Sequence, residues 1–415
     1  MTQRLLLLVT PQTYRAQAFE SAAHKLGVEV VKAIDVPPEL AEQWCDAIAV
    51  RFGEVAQAAE AIAGYAADHP LDAILSVDDS ASLVAAQASA ALGLPHNSPD
   101  AAEAARNKYV MRTVLRQHGV PVPEFRLFRT SDPVDDIAPQ VTFPCVVKPL
   151  DLNGSRGVIR ADDAAQLAMA IKRLSKLLHT LDRSPDPKPF LIEDFIPGFE
   201  VALEGLLDRG QLHVLALFDK PDPLDGPYFE ETIYVTPSRL PADAQQAIAE
   251  CARDSARALG LRDGPMHAEL RVNERDPWLV EVAGRSIGGL CGQTLRFAHS
   301  AAVTLEELIV RQALGLSLDA LERESQSGGV MMIPIPGEGL LRGVTGIEDA
   351  KAVIGIEDVQ ITARLNYPIV PLPEGESYLG FIFARAATPA QVEAALRAAY
   401  SKLHFRIDPV IPLLQ

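Results

Sequence analysis

Cysteine is scarce in this chain. The four present, Cys45, Cys145, Cys251 and Cys291, lie far apart in 415 residues and form no metal-binding or redox spacing. Such sparse use fits a reducing, cytoplasmic setting, where a free thiol packs as a small apolar group. Basic charge is also short: 38 Lys and Arg stand against 55 Asp and Glu, a net of −17. That balance argues against a nucleic acid or an anionic membrane as partner, because counterion release needs clustered cations. An anionic substrate must therefore be held by a local basic pocket, against the overall field. No apolar run is long enough to span a bilayer. RLLLLV near the N-terminus is too short even for a signal-peptide core and reads as a buried first strand. The loop after it, TPQTYRAQAF, lacks glycine, so the GxGxxG dinucleotide fingerprint is absent. Long-period repeats and low-complexity tracts are missing too.

What is present is ordinary globular texture, 48% hydrophobic and 22% charged, at a length suited to about three domains. RLLLLV, VEVVKAID and LDAILSVDD are strand-like, with helical stretches between them, which predicts a parallel α/β sheet covered on both faces. Asp78 and Asp79 end the last of these strands, where open α/β sheets place a ligand crevice; capping the next helix is an equally ordinary use. Ser98 followed by Pro99 opens a helical stretch running to about residue 118, with Lys108 inside it. FPCVVKP then ends a short strand at Lys148, followed by the glycine-bearing loop NGSRG. Such a loop can turn backbone N–H groups toward a phosphate, although Asn-Gly serves ordinary hairpins more often. LIEDFIPGFEVALEGLL reads as two strands about a Pro-Gly break, with Glu193 closing the first and Glu200 and Glu204 on one face of the second. Residues 219–230 show little periodicity, as a binding loop or lid would. VMMIPI, VQITARL and LGFIFARAA predict strands of a final α+β unit, and TPAQ at 388–391 is a capping box for the last long helix.

GPMHAELRVNERDPWLVEVAGRSIGG alternates polar and apolar residues on both sides of NERDP, which predicts a β-hairpin turning about Arg275. In that register Glu269 faces Glu281. His267 and Arg271 share the face of Glu269, and Ala283 and Arg285 share that of Glu281. At ~5 Å and an effective dielectric of ~20 the two carboxylates repel by ~3 kcal/mol, which is large against a typical net stability. A divalent cation between them removes that cost; a shifted register on a solvated face leaves the charges harmless. His267 and Glu269 also form an H-x-E as in zinc deaminases, but the partner PCxxC is missing. His267 is therefore expected to orient a neighbour or line a pocket.

Taken in order, NKYVMRTVLRQHGVPVP, FPCVVKP with NGSRGV, LIEDFIPGFE, HAELRV and EVAGR resemble the ATP-grasp superfamily. GESYLGFIFARAATPAQVEAALRAAYSKLHFRI resembles the C-terminal domain of L-amino acid ligases. The resemblance implies a Rossmann-like pre-grasp domain over 1–100 and a two-subdomain ATP-grasp core over 101–328. That core divides into a helical linker (101–120), a lid (about 140–198) and a metal and substrate part (about 199–328). A small α+β domain fills 329–415. Carried over residue by residue, Lys108 and Lys148 contact ATP phosphates, and the lid loop brings Ser155, Arg156 and Gly157 over them. Glu193, Asp194, Phe195 and Ile196 match the adenine hinge, with Glu200 at the ribose. Glu269 and Glu281 match the magnesium-holding carboxylates, with manganese as a substitute, and Arg285 the arginine that meets the reacting group. His267, Lys220, Gly288 and Gly289 are candidates for substrate contact. The family pattern E-x-N-x-R departs at Ala283, which deprives a second magnesium of a ligand. The activity implied is ATP-dependent joining of an amino acid or similar carboxylate to an amine, with small molecules as partners and a homodimer allowed. Biotin-type carboxylation and a non-catalytic ATP-binding subunit are the rival readings.

Overall fold

The computed structural model describes residues 2–37, 39–40, 47–297, 303–319 and 321–409; Cys45 lies outside them. The N-terminal sheet is four-stranded and parallel, in the order Ala47–Val50, Glu29–Asp35, Arg4–Val9, Ala73–Ser76. Leu5, Leu6, Leu7 and Leu8 are wholly buried because helices cover both faces, which is why this strand reads as an unbroken apolar run. The C-terminal ends of Arg4–Val9 and of its neighbour, the edge strand Ala73–Ser76, lead into residues 10–15 and 77–80, at the edge of the crevice described below.

The linker is two helices, not one. Asn107 leaves helical geometry (φ −91°, ψ 109°), and its side chain accepts from the backbone N–H groups of Tyr109 and Val110. It thereby ends Pro99–Arg106 and caps Lys108–Gln117. Lys108 becomes the first residue of a helix, with Arg112 one turn on and on the same face.

A second sheet, all antiparallel, has the order Phe125–Arg129, Pro189–Asp194, Cys145–Pro149, Ile159–Ala161. The helix Ala164–Leu181 lies on it through Leu167, Ala170, Ile171, Leu174 and Leu177, a 3.6-residue stripe that closes a core of its own. The third sheet is eight-stranded and antiparallel: Pro277–Ala283, Gly264–Val272, Phe199–Asp208, Gln211–Asp219, Ile233–Thr236, Ser327–Ile333, Gly380–Ala386, Ile356–Ile361. It runs without a break through the boundary expected at 328/329, so the C-terminal strands extend the core sheet. Only the small sheet Pro368–Ile369, Gly339–Thr345, His404–Asp408 is separate from it. The helix Pro389–Tyr400 starts at the expected capping box, formed by Thr388 and Gln391.

The helix Ala242–Leu259 covers one face of the large sheet, where Met266, Ala268 and Leu270 meet Ile248, Ala252 and Ala256. Alternation then sends His267, Glu269 and Arg271 to the opposite face. No described helix is long and apolar enough to cross a membrane.

Candidate active site

The hairpin has the register read from its alternation. Glu269 pairs with Glu281 and His267 with Ala283; an irregularity just past Glu269 leaves Arg271 opposite Trp278. Both carboxylates face a cavity of about 650 Å³ walled by the N-terminal loops, the small antiparallel sheet and the large sheet. Their repulsion is relieved by protein cations, a solution that the hairpin sequence does not contain. Lys108 Nζ donates to Glu281 (3.1 Å) and to the carbonyl of Leu152 (2.9 Å). Lys220 Nζ lies 3.3 Å from Glu269, and His267 Nε2 lies 3.5 Å from it.

Each remaining cation of the cavity also has an acidic partner. Glu193 is almost fully buried and takes Arg112 through both oxygens (2.9 and 3.2 Å) as well as Lys148. Burial opposes its charge, but Arg112 and Lys148 outweigh that and hold its pKa down to about 2. Arg285 donates through Nε to Asp79 (2.6 Å) and through Nη1 to the carbonyl of Ser286 (2.9 Å). Asp79 thus serves neither as a bare ligand nor as a side-chain cap, but holds an arginine from another domain. Arg15 crosses the same boundary to Ser286 Oγ (2.7 Å) and, within its own domain, donates to the carbonyl of Val77 (2.8 Å).

Glu200 accepts from Lys220 (2.9 Å) and from Arg271 Nε (2.9 Å). Lys220 is sunk among Glu200, Glu231 and Glu269; burial disfavours its charge, yet the three carboxylates raise its pKa well above the ordinary value. Burial, with the charge of Glu269 beside it, raises the Glu231 pKa against the pull of Lys220. His267 Nδ1 meets Glu204 (3.1 Å), which also accepts from the backbone of Ile287 (3.0 Å). Burial disfavours imidazolium, but Glu204 and Glu269 together raise the pKa of His267.

Most of the residues singled out from sequence line this one cavity: Lys108, Lys148, Ser155, residues 193–196, Glu200, His267, Glu269, Glu281, Arg285, Gly288 and Gly289. Three do not. Lys220 lies beneath the wall. Arg156 reaches Glu376 (2.6 Å) and the carbonyl of Glu374 (2.8 Å), and Gly157 donates to the carbonyl of Pro373 (2.7 Å). Gly157 has φ +73°, and a Cβ there would come within 2.9 Å of Leu174, so only glycine lets the loop pass this close to the helix. Two expected nucleotide contacts, Glu193 and Glu200, have their carboxylates turned to protein cations. Beyond Glu193, Phe195 stacks near Phe229 (6.4 Å) under the guanidinium groups of Arg160 and Arg271. Arg112, Arg15, Glu231 and Tyr234 were not anticipated; of these only Arg112 left a sequence signal, its place one turn after Lys108.

The donor set around Glu269 and Glu281 is hard oxygen, partly exposed to the cavity (21% and 27%), and it fits magnesium. Glu200, Glu231 and Glu269 bring carboxylate oxygens within 4.8 Å of one another, but the ammonium of Lys220 already serves that group.

Three family models match stretches of the chain. Residues 19–96 match the ATP-grasp N-terminal domain, residues 141–294 the ATP-grasp domain, and residues 331–408 the L-amino acid ligase C-terminal domain 2. The chain belongs to the ATP-grasp superfamily. Over its whole length this ATP-grasp chain is similar to the crystal structure of L-amino acid ligase from Bacillus licheniformis: TM-score 0.79 and 26% identity over 98% of this chain and 99% of that one. It is 28% identical to the uncharacterized protein y4rH of Sinorhizobium fredii, over 76% of this chain and 64% of that protein. It is also 28% identical to alanine–anticapsin ligase of Bacillus subtilis, over 49% of this chain. The ATP-grasp chain spans 46% of that ligase's length, about half.

Proposed function

We propose that this ATP-grasp chain joins an amino acid or similar carboxylate to an amine, with ATP converted to ADP and phosphate through an acyl phosphate. The observation that carries the reading is a single cavity on which Lys108, Lys148 and Arg285 converge with the facing Glu269 and Glu281. Phosphoryl transfer asks chiefly for positioning and for charge neutralisation, and no protein nucleophile is needed.

A carboxylate oxygen of the first substrate attacks the γ-phosphorus as the bond to ADP breaks. The amine nitrogen of the second substrate then attacks the acyl carbon, phosphate leaves and the nitrogen gives up a proton. Lys108, Lys148 and Arg285 neutralise the transferring phosphoryl oxygens. To reach them, the phosphates take over cations that Glu281, Glu193 and Asp79 otherwise hold. Glu269 and Glu281 would hold magnesium, which would supply further neutralisation of the triphosphate. Ala283 offers no donor one pleat beyond Glu281, which favours one protein-held ion over two. The loop around Ser155 and Arg156 keeps water from the acyl phosphate.

The test is incubation with magnesium-ATP and pools of amino acids, reading phosphate release and product mass. Amino-acid-dependent release with a new amide is expected. Release that depends on bicarbonate and ignores amino acids would point to carboxylation, and no release under any pool to a regulatory subunit. Glu281→Gln is expected to abolish turnover while leaving the circular dichroism spectrum unchanged; full magnesium-dependent activity in that variant would refute the metal assignment.

A further inference from the structure

Part of the cavity wall is apolar and not charged. Behind it stands Phe381, wholly buried, with the ring of Phe383 stacked on it (6.3 Å). Tyr14 meets Phe381 edge-on from the N-terminal loop (6.0 Å), and Tyr378 meets it from the C-terminal segment (6.2 Å). Met332 is the cross-strand partner of Phe381, so the two share one face of the large sheet. Gly289 closes the ring: at φ +60° its missing Cβ would fall 2.8 Å from the Phe381 ring edge and 3.7 Å from Cys291 Sγ. Tyr14, Gly289, Cys291, Met332 and Tyr378 line the cavity, with Phe381 and Phe383 behind them, and Tyr14 is 47% exposed.

Charge is present at the rim but already committed. Arg15 is bound to Ser286 and Val77, and Glu231 to Lys220. The thiol of Cys291 is buried and burial holds it protonated, so it packs as an apolar group. A charged side chain entering here would have to displace an existing partner and would lose its hydration, whereas an apolar one would displace water from aromatic and sulfur surface.

We propose that the chamber of Tyr14, Gly289, Cys291, Met332, Tyr378 and Phe381 is the side-chain subsite for one of the two amino acids, and that it selects a bulky apolar, thioether or aromatic side chain. This inference rests on the ligase reading. A pocket of this kind discriminates by size at about 10- to 200-fold per methylene-scale difference, and it rejects charge more strongly than shape.

The experiment measures magnesium-ATP-dependent phosphate release and product mass for the standard amino acids, singly and in pairs. Methionine, leucine or phenylalanine in one position is expected to exceed glycine, aspartate and lysine in kcat/KM by at least about tenfold. Met332→Ala, which enlarges the chamber, is expected to move that optimum toward phenylalanine and tryptophan. Strong release with glycine or a charged amino acid in both positions would overturn the subsite and leave the ligase reading standing. An unchanged preference order in folded Met332→Ala would do the same. Release with no amino acid at all would remove the ligase reading, and the subsite with it. If Met332→Ala fails to fold, the panel on the native chain decides alone.

Discussion

Among single residues, Glu193 has the clearest energetic role. It is the one carboxylate facing both Arg112 and Lys148, and all three side chains are buried. Removing its charge leaves two cations facing each other without compensation, an arrangement that typically costs about 3–5 kcal/mol. Glu193→Gln is therefore expected to lower the unfolding free energy from denaturant titration at pH 7 by that amount; a wild-type value would show that the cluster contributes nothing. The pH dependence follows from the sign of the shift. A carboxyl held below its ordinary 4.5 stabilises the fold fully above that pH, and the contribution is lost as pH falls toward about 2. Wild-type stability should thus decline between pH 4.5 and 2 more steeply than that of Glu193→Gln, measured by urea titration across the window.

On the level of elements, the small antiparallel sheet and its helix are tied to the C-terminal region by polar contacts along one strip. Arg173 grips Glu374 and the Tyr228 hydroxyl, Arg156 reaches Glu376, and Gly157 binds the carbonyl of Pro373. The Arg173–Glu374 pair is partly exposed and worth at most about 1 kcal/mol, enough to change an open-to-closed ratio by about fivefold. Glu374→Ala is expected to raise phosphate release per amide formed by up to that factor, because an acyl phosphate left open meets water. An unchanged ratio would mean that the strip does not control closure. None of these ties was legible in the chain. The hairpin was, because period-two alternation and a polar turn fix both its faces and its register. Arg112 and Glu193 lie 81 residues apart and Arg156 and Glu376 220 apart, separations at which local pattern says nothing about which charges meet. The break at Asn107 escaped for the opposite reason, since a single polar residue within a helical pattern looks like solvated helix surface until its backbone leaves helical geometry. The continuous eight-stranded sheet was hidden because six of its strands were visible but their neighbours were not, and Gln211–Asp219 and Ile233–Thr236 were not read as strands.

Across the whole molecule, the apolar cores divide it unequally. One cluster joins Leu5, Leu7 and Val9 of the N-terminal sheet to Leu206 and Phe218 of the large sheet and to Phe381 and Phe383 near the C-terminal end. These regions share one interior and should open together. The sheet containing Lys148 and Glu193 has a core of its own, around Val147, Leu174 and Phe190, and touches that interior mainly through charges. We propose it as the moving part, as the free energy of local opening follows shared buried contacts. Hydrogen exchange with and without a magnesium-bound, non-hydrolysable ATP analogue separates the two cases. Amides of Cys145–Pro149 and Pro189–Asp194 are expected to slow on binding, because in the proposed reading nucleotide phosphates would bridge Lys148 on this sheet to Lys108 and Arg285 outside it. Amides of Arg4–Val9, protected already by the shared interior, are expected to change little. Equal slowing in both regions would mean that the molecule tightens as one body, and the small sheet would then lose its assignment as a lid.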